Sequence, residues 1–213
     1  MALSNVVIID DDAFVRSSLT AGLRGYGFNV VGSGKTFSAA LELCQNNQVD
    51  VAIIDFDLGE GPNGFDICVA LRKQFPTIGL VLLTSYTDLN YAEPDLPPLP
   101  KGTKFLTKSN LSDFQLLTHE ILSAKHKPFT PAKNQRNRSI LTITQIEVLR
   151  LISEGFSTNE IAKRRGVSEK AIEGIIAKIH IVLGLEKSKS LNQRVQLTRA
   201  FFKLSGKNLP SDS

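Results

Sequence analysis

The chain has 213 residues, 42% of them apolar and 22% charged, the balance of a soluble globular protein with room for one large domain or two small ones. No apolar stretch approaches the ~20 residues of a membrane-spanning helix, and the amino terminus lacks the basic-then-apolar pattern of a secretory signal, so a cytoplasmic protein with no membrane partner is expected. The net charge of +4 conceals an asymmetry: residues 1–124 carry 8 Lys/Arg against 14 Asp/Glu, residues 125–138 carry 5 against none, and residues 139–213 carry 12 against 7. An acidic front half joined to a basic back half implies two domains with different partners, the second suited to a polyanion.

The first 124 residues alternate strand and helix signals. Strands are expected at 6–9, 28–31, 51–55, 78–83 and 105–107, and helices at 13–23, 36–44, 64–75 and 111–124. Strands alternating with helices imply a parallel sheet covered on both faces through right-handed crossovers. Residues 51–55, Val-Ala-Ile-Ile-Asp, form an unbroken apolar run that ends in a carboxylate, the pattern of a strand buried on both faces whose last residue stands at the ligand-binding edge. Where a helix belongs between strands four and five, Pro94, Pro97, Pro98 and Pro100 intervene, so residues 90–101 are expected to be loop. Cys44 and Cys68 have no metal-ligand or redox spacing and fit apolar helical patterns, as small core residues do.

The polar residues at the strand ends fall on one edge of such a sheet: Asp10, Asp11 and Asp12 after strand one, Asp55 after strand three, Thr84 and Ser85 after strand four, and Lys108 after strand five. Crowded carboxylates repel one another unless a cation lies among them. A hard divalent ion, Mg²⁺, held by a few oxygens and several waters suits the cluster and would neutralise an arriving phosphoryl group. One aspartate can then act as nucleophile, with a lysine and a hydroxyl holding the phosphate oxygens. A competing signal, Gly32-Ser33-Gly34-Lys35-Thr36, looks like the end of a nucleotide-binding P-loop, but Asn29 stands where that motif needs glycine.

In the contexts IIDDDAFVR, VAIIDFD, VLLTS and FLTKS, the set Asp10, Asp11, Asp55, Thr84 and Lys108 resembles the receiver domain of two-component response regulators. The resemblance implies a flavodoxin-like α/β domain over residues 1–124 that binds Mg²⁺ and takes phosphate from a sensor histidine kinase. It implies Asp55 as phosphoacceptor, Asp10 and Asp11 as Mg²⁺ carboxylates, Asp57 as donor of a backbone carbonyl to the metal, Thr84 as switch hydroxyl, Lys108 as phosphate-binding lysine and Phe105 as aromatic switch. The loop 58–64 is one residue longer than the usual form and lacks its Met-Pro, and Ser109 follows Lys108 where many receivers have proline.

Residues 125–138 combine Pro128 and Pro131 with charge of one sign and no apolar period, and read as an exposed linker. The remainder is helical: 144–154 ending at Gly155, a helix capped by Ser157 and running to Arg165, and a helix capped by Ser168 and running to Leu183. The two helices around Gly166-Val167 make a helix-turn-helix. The second of them is expected to turn Ile172, Ile175, Ile176, Ile179 and Leu183 inward and to offer Lys170, Glu173, Gly174, Ala177, Lys178 and Ile181 to a major groove, with Lys163, Arg164 and Arg165 placed for phosphates. His119, His126 and His180 lack metal-ligand spacing and read as surface or packing residues. The frame LTITQIEVLRLISEGFSTNEIAKRRGVSEKAIE with IVLGL resembles the four-helix DNA-binding domain of LuxR-type regulators over residues 139–213, with the helix at about 188–204 as dimerisation helix. Glu173 stands where that family usually has a basic residue. The two resemblances together imply a phosphorylation-controlled, DNA-binding transcription regulator, homodimeric when active and not an enzyme. The alternative from another class is a receiver-controlled protein-interaction module.

Overall fold

The computed structural model describes residues 4–59, 61–93, 96–126, 140–185 and 192–206. Most of the expected linker 125–138, together with Pro94 and the start of the expected dimerisation helix, lies outside the described residues. The chain forms two compact units: residues 1–84 with 98–135, and residues 85–97 with 136–213.

The first unit is a five-stranded parallel sheet of β1 (Asn5–Ile9), β2 (Asn29–Gly34), β3 (Val51–Asp55), β4 (Gly79–Thr84) and β5 (Lys104–Thr107), in the order β2-β1-β3-β4-β5. Every residue of β3 and β4 is buried, which is why these strands read as apolar runs without alternation. Val6 and Ile8 of β1, Val51 and Ile53 of β3 and Val81 and Leu83 of β4 share one core with Leu19 and Leu23 of α1 (Ala13–Gly25) and Leu117 and Ile121 of α4 (Phe114–His126). The intervening strand residues, with period two, are equally buried, and α2 (Phe37–Asn46) and α3 (Gly64–Gln74) pack against β1–β2 and β3–β4. Cys44 and Cys68 lie buried on those two helices. Burial pushes their thiols up to about 11 and about 12, so both are protonated packing residues.

Two elements differ from expectation. Strand β2 continues through Gly32, Ser33 and Gly34, which pair with Val7, Ile8 and Ile9 of β1. The ladder therefore consumes the Gly-Ser-Gly that resembled a phosphate loop, and a Cβ on Gly32 would lie 2.4 Å from a methyl of Leu43. The last helix of the unit starts later than expected: Lys108–Ser112 is a 3₁₀ turn, and Asp113 accepts from the amides of Gln115 and Leu116 at 3.0 and 3.1 Å to start α4 afresh. Among the described residues between β4 and β5, only a three-residue 3₁₀ turn, Leu89–Tyr91, forms, in keeping with the prolines.

The second unit contains α5 (Ile143–Ser153), α6 (Thr158–Arg165), α7 (Glu169–Val182) and α8 (Gln193–Ser205). Its boundaries come from local hydrogen bonds. Thr142 with Gln145 and Ser157 with Glu160 form reciprocal capping boxes, Ser168 caps α7, and Gly166 at φ +65° closes α6 in the left-handed region. Ile146, Val148, Leu149, Ile152, Ile161, Ile172, Ile179, Leu197 and Phe201 are buried. His180 is buried too, a packing residue on α7.

One contact fixes how β3 hands over to α3. A Cβ placed on Gly64 would lie 2.1 Å from the carbonyl oxygen of Asp55, while the Gly64 amide donates to the Phe56 carbonyl at 2.9 Å. Gly64→Ala forces backbone apart at the end of β3 and is expected to cost about 1–3 kcal/mol, read as a lowered urea midpoint. An unchanged midpoint would show that the loop gives way freely.

Candidate functional site: an acidic edge with a bridging lysine

The parallel sheet brings the carboxyl ends of β1, β3, β4 and β5 to one edge. Asp10 follows β1, Asp55 ends β3, Thr84 ends β4, and Lys108 follows β5. Asp10, Asp55 and Thr84 are 0%, 2% and 0% exposed, so charge is buried here and must be compensated. Lys108 compensates it: its Nζ lies 2.9 Å from Asp10 Oδ2 and 3.0 Å from Asp55 Oδ2. The exposed Asp11 completes a group of three carboxylates, each able to bring an oxygen within 4.8 Å of the others. Asp57 is exposed and Phe105 half-buried on β5, paired in register with Leu82.

Hydrogen bonds hold the acidic loop in shape. Asp10 Oδ1 accepts from the Asp12 amide at 2.9 Å, and Asp12 caps α1 by accepting from the amides of Phe14 and Val15 at 2.7 and 3.3 Å. Arg16 donates to the carbonyls of Asp10 and Asp11 at 2.6 and 3.0 Å. Arg16 was not among the expected site residues. Its signal is positional: an arginine four residues after an N-cap lies one turn into the helix and faces back over the cap.

Burial pushes the Asp55 carboxyl up to about 7, the nearby charges of Asp10 and Asp57 add to the rise, and Lys108 opposes it. Burial alone would lower the Lys108 ammonium, but its hydrogen bonds and attraction to Asp10 and Asp55 prevail and raise it. The lysine is therefore a fixed cation, and the buried aspartate the group whose charge is under pressure. Three carboxylates around one point, more negative charge than one lysine cancels, form a donor set that fits a hard divalent ion.

In the second unit Lys163 is exposed, but its two neighbours have partners: the Arg164 guanidinium lies 3.8 Å from the centroid of the Phe156 ring, and Arg165 is ion-paired with Glu147. On α7, Lys170, Glu173, Gly174, Ala177, Lys178 and Ile181 are exposed, Ile175, Ile176 and Leu183 half-buried and Ile172 and Ile179 buried. The outward face thus carries two lysines and a glutamate among small and apolar residues. At its start, Glu169 accepts from Asn159 of α6.

The raised pKa of Asp55 has a consequence for stability. The carboxyl binds its proton more tightly in the folded chain than in the unfolded one, where its value is near 3.8. Its contribution is greatest below about pH 4 and is lost as pH rises through about 7. In the absence of divalent ions, Asp55→Asn is therefore expected to stabilise the first unit above pH ~7 by on the order of 1–3 kcal/mol. The gain should disappear toward pH ~4 in urea unfolding across that range. A gain independent of pH would assign the effect to packing instead.

The chain matches two family models: residues 6–111 that of the response regulator receiver domain, and residues 139–186 that of the bacterial regulatory proteins of the luxR family. It is 27% identical over 207 residues to the oxygen regulatory protein NreC of Staphylococcus haemolyticus, covering 86% of this chain and 92% of that one. To the DNA-binding transcriptional activator DevR/DosR of Mycobacterium tuberculosis it is 26% identical over 197 residues, covering 85% and 89%. A solved complex of the two-component response regulator RcsB with DNA aligns over 94% of this chain and 99% of its own, with a TM-score of 0.53 and 23% identity. RcsB of Salmonella typhimurium aligns over 94% and 98%, with a TM-score of 0.51 and 22% identity. At those identities the likeness is one of fold. With both family models matched in this order, the chain belongs to the response regulators that join a receiver domain to a luxR-family helix-turn-helix domain.

Proposed function

We propose that this protein is a phosphorylation-controlled, DNA-binding transcription regulator in which Asp55 accepts the phosphoryl group. The observation that carries the reading is Lys108 bridging two buried carboxylates, Asp10 and Asp55, at the edge where Asp11 and Thr84 also stand. Domain limits of 1–124 for the receiver and 139–213 for the output domain, with 125–138 as linker, belong to the same reading. Asp10, Asp11, Asp55 and the backbone carbonyl of Asp57 would hold Mg²⁺, which when bound supplies positive charge between the carboxylates and an incoming phosphoryl group. A carboxylate oxygen of Asp55 forms the new bond to phosphorus as the bond to the leaving group breaks and its electron pair departs with that group. Lys108 then transfers its attraction to the phosphoryl oxygens, and the Thr84 hydroxyl donates to one of them. Phe105, on the strand beside Thr84, serves as the aromatic that responds. A sensor histidine kinase is the donor, the cytoplasm the compartment, and a homodimer the active form.

For the output, α7 is the helix placed in the major groove, with Lys170, Glu173, Gly174, Ala177 and Lys178 facing DNA and Lys163 reaching phosphate. Arg164 and Arg165 were expected to share that work. Their partners Phe156 and Glu147 support a role in bracing the end of α6 instead.

Incubation with acetyl phosphate and Mg²⁺ is expected to label Asp55, Asp55→Ala to abolish the label and Lys108→Ala to reduce it at least ~10-fold. Label that survives in Asp55→Ala would remove the assignment. In a mobility-shift assay over genomic fragments, Lys178→Ala should weaken binding. Glu173→Lys should strengthen binding to every fragment, because Gly174 and Ala177 beside Glu173 give no second contact for a base-specific pair. If neither change alters affinity, α7 does not face DNA and the helix-turn-helix is a protein-interaction module.

A further inference from the structure

The outward face of α7 holds two residues that the fold of the second unit does not call for. Ile181 is 77% exposed, although Ile172 and Ile179 already anchor the helix from beneath. Gly174 stands in mid-helix, where glycine weakens a helix relative to alanine because its backbone is freer in the unfolded chain. A Cβ built on it meets nothing within 4 Å, so no neighbour among the described residues requires the missing side chain. Ala177 lies between the two and is exposed as well. At helical spacing Gly174, Ala177 and Ile181 fall within about 60° of arc and form one stripe, with Glu173 on one flank and Lys178 on the other.

Each base shows a different edge in the major groove. Guanine presents two acceptors, adenine an acceptor beside a donor, cytosine a donor, and thymine an acceptor with a methyl group. The side chains of the stripe have neither donors nor acceptors, so a guanine, adenine or cytosine edge pressed on them loses hydrogen bonds to water and gains none. A thymine methyl gains, because apolar surface on both sides leaves water. From Gly174 to Ile181 the stripe rises about 10 Å, the length of about three base-pair steps. Lys170, exposed at the start of the stripe, and Lys178 beside it offer positive charge to the phosphates that wall a groove. That complementarity favours nucleic acid over an apolar protein surface as the occupant of this face.

On the reading that α7 lies in the major groove, we propose that its stripe reads thymine methyl groups, with Ile181 as the specificity-determining residue. Ala177 adds a smaller contact of the same kind, and Gly174 lets the helix come close to the base edges. The preferred half-site then carries adjacent thymines on the strand beneath the stripe, chosen by apolar contact and not by paired hydrogen bonds. Lys170 and Lys178 hold the helix in place without choosing the sequence. Each buried methyl contributes about fourfold in affinity, so discrimination is shallow at one base pair and builds up over neighbouring ones.

The test uses the full chain, incubated with acetyl phosphate and Mg²⁺, and a pool of random-sequence duplexes. Selection from the pool should return sites with adjacent thymines on one strand of each half-site. The selected duplex is then made with deoxyuridine in place of thymidine at one position at a time, which removes a methyl and keeps every hydrogen-bonding group. At the thymine under Ile181 the exchange should weaken binding about fourfold. In Ile181→Ala, which removes an exposed side chain and no core packing, the same exchange should leave affinity nearly unchanged. Lys178→Ala should weaken binding to both duplexes and preserve their ratio. Equal affinity of the wild type for the two duplexes at every position would overturn the thymine reading, and a methyl effect undiminished in Ile181→Ala would overturn the role of Ile181. In either case, weaker binding by Lys178→Ala would keep α7 in the groove. Retention of no duplex from the pool at low salt would overturn the groove placement and the thymine reading together.

Discussion

Lys108 lies within 3.0 Å of two aspartates that are almost wholly buried, and the first unit is arranged so that this is tolerable. A parallel sheet has no choice about where its strands end: with β1, β3 and β4 in register, residues that follow them arrive together. Apolar residues at those ends would be the more stable solution, because burying a charge is repaid only by close pairing. Here one cation serves two anions, and burial, helped by the nearby charge of Asp10, raises the Asp55 carboxyl to about 7 against the pull of Lys108. The site is thus a place where the fold stores electrostatic cost, and a ligand that brings both positive charge and phosphate oxygens relieves it. Arg16, clasping the carbonyls of the acidic loop, and Gly64, letting α3 start against the end of β3, keep the geometry from relaxing in other ways.

The second unit solves a different problem with different means. Its helices are short, and a helix of eight residues such as α6 has little stability of its own. It is stopped and started by side chains: a capping box at Ser157, left-handed Gly166 at its end, and Ser168 two residues further on to begin α7. The angle between the two helices of the motif is therefore set locally, and Ile161, Ile172 and Ile179 need only fill the space beneath.

How much of this was legible in the sequence depended on the range of the interaction. The apolar run 51–55 announced a strand buried on both faces, Ser157 and Ser168 announced their helices, and the prolines announced the missing one. Each is a local signal. The extension of β2 through Gly32-Ser33-Gly34 was hidden because those residues have loop composition, and only pairing with β1 makes them a strand. The start of α4 was placed too early because the apolar period from Leu111 outweighed the cap offered by Asp113. At the site, the residue types and their order on one edge were readable, whereas Arg16 was not, since its partners are carbonyls that carry no sequence signature. The partners of Arg164 and Arg165 and the association of residues 85–97 with α5 and α8 depend on tertiary contacts, which no window of sequence contains.

The ion pair of Arg165 with Glu147 changes how the protein would respond to ionic strength. Each phosphate neutralised on duplex DNA releases close to one condensed counterion, and a cation already paired within the fold releases none. Among the described residues of α6 and α7, Lys163, Arg164, Lys170 and Lys178 remain exposed without an ion-pair partner. The logarithmic slope of affinity against salt should then be near ~4 per half-site, about one below what the count of basic residues in the motif suggests. Such a protein keeps more of its grip as salt rises and depends more on fit to the groove. It also gains less from non-specific attraction while it searches.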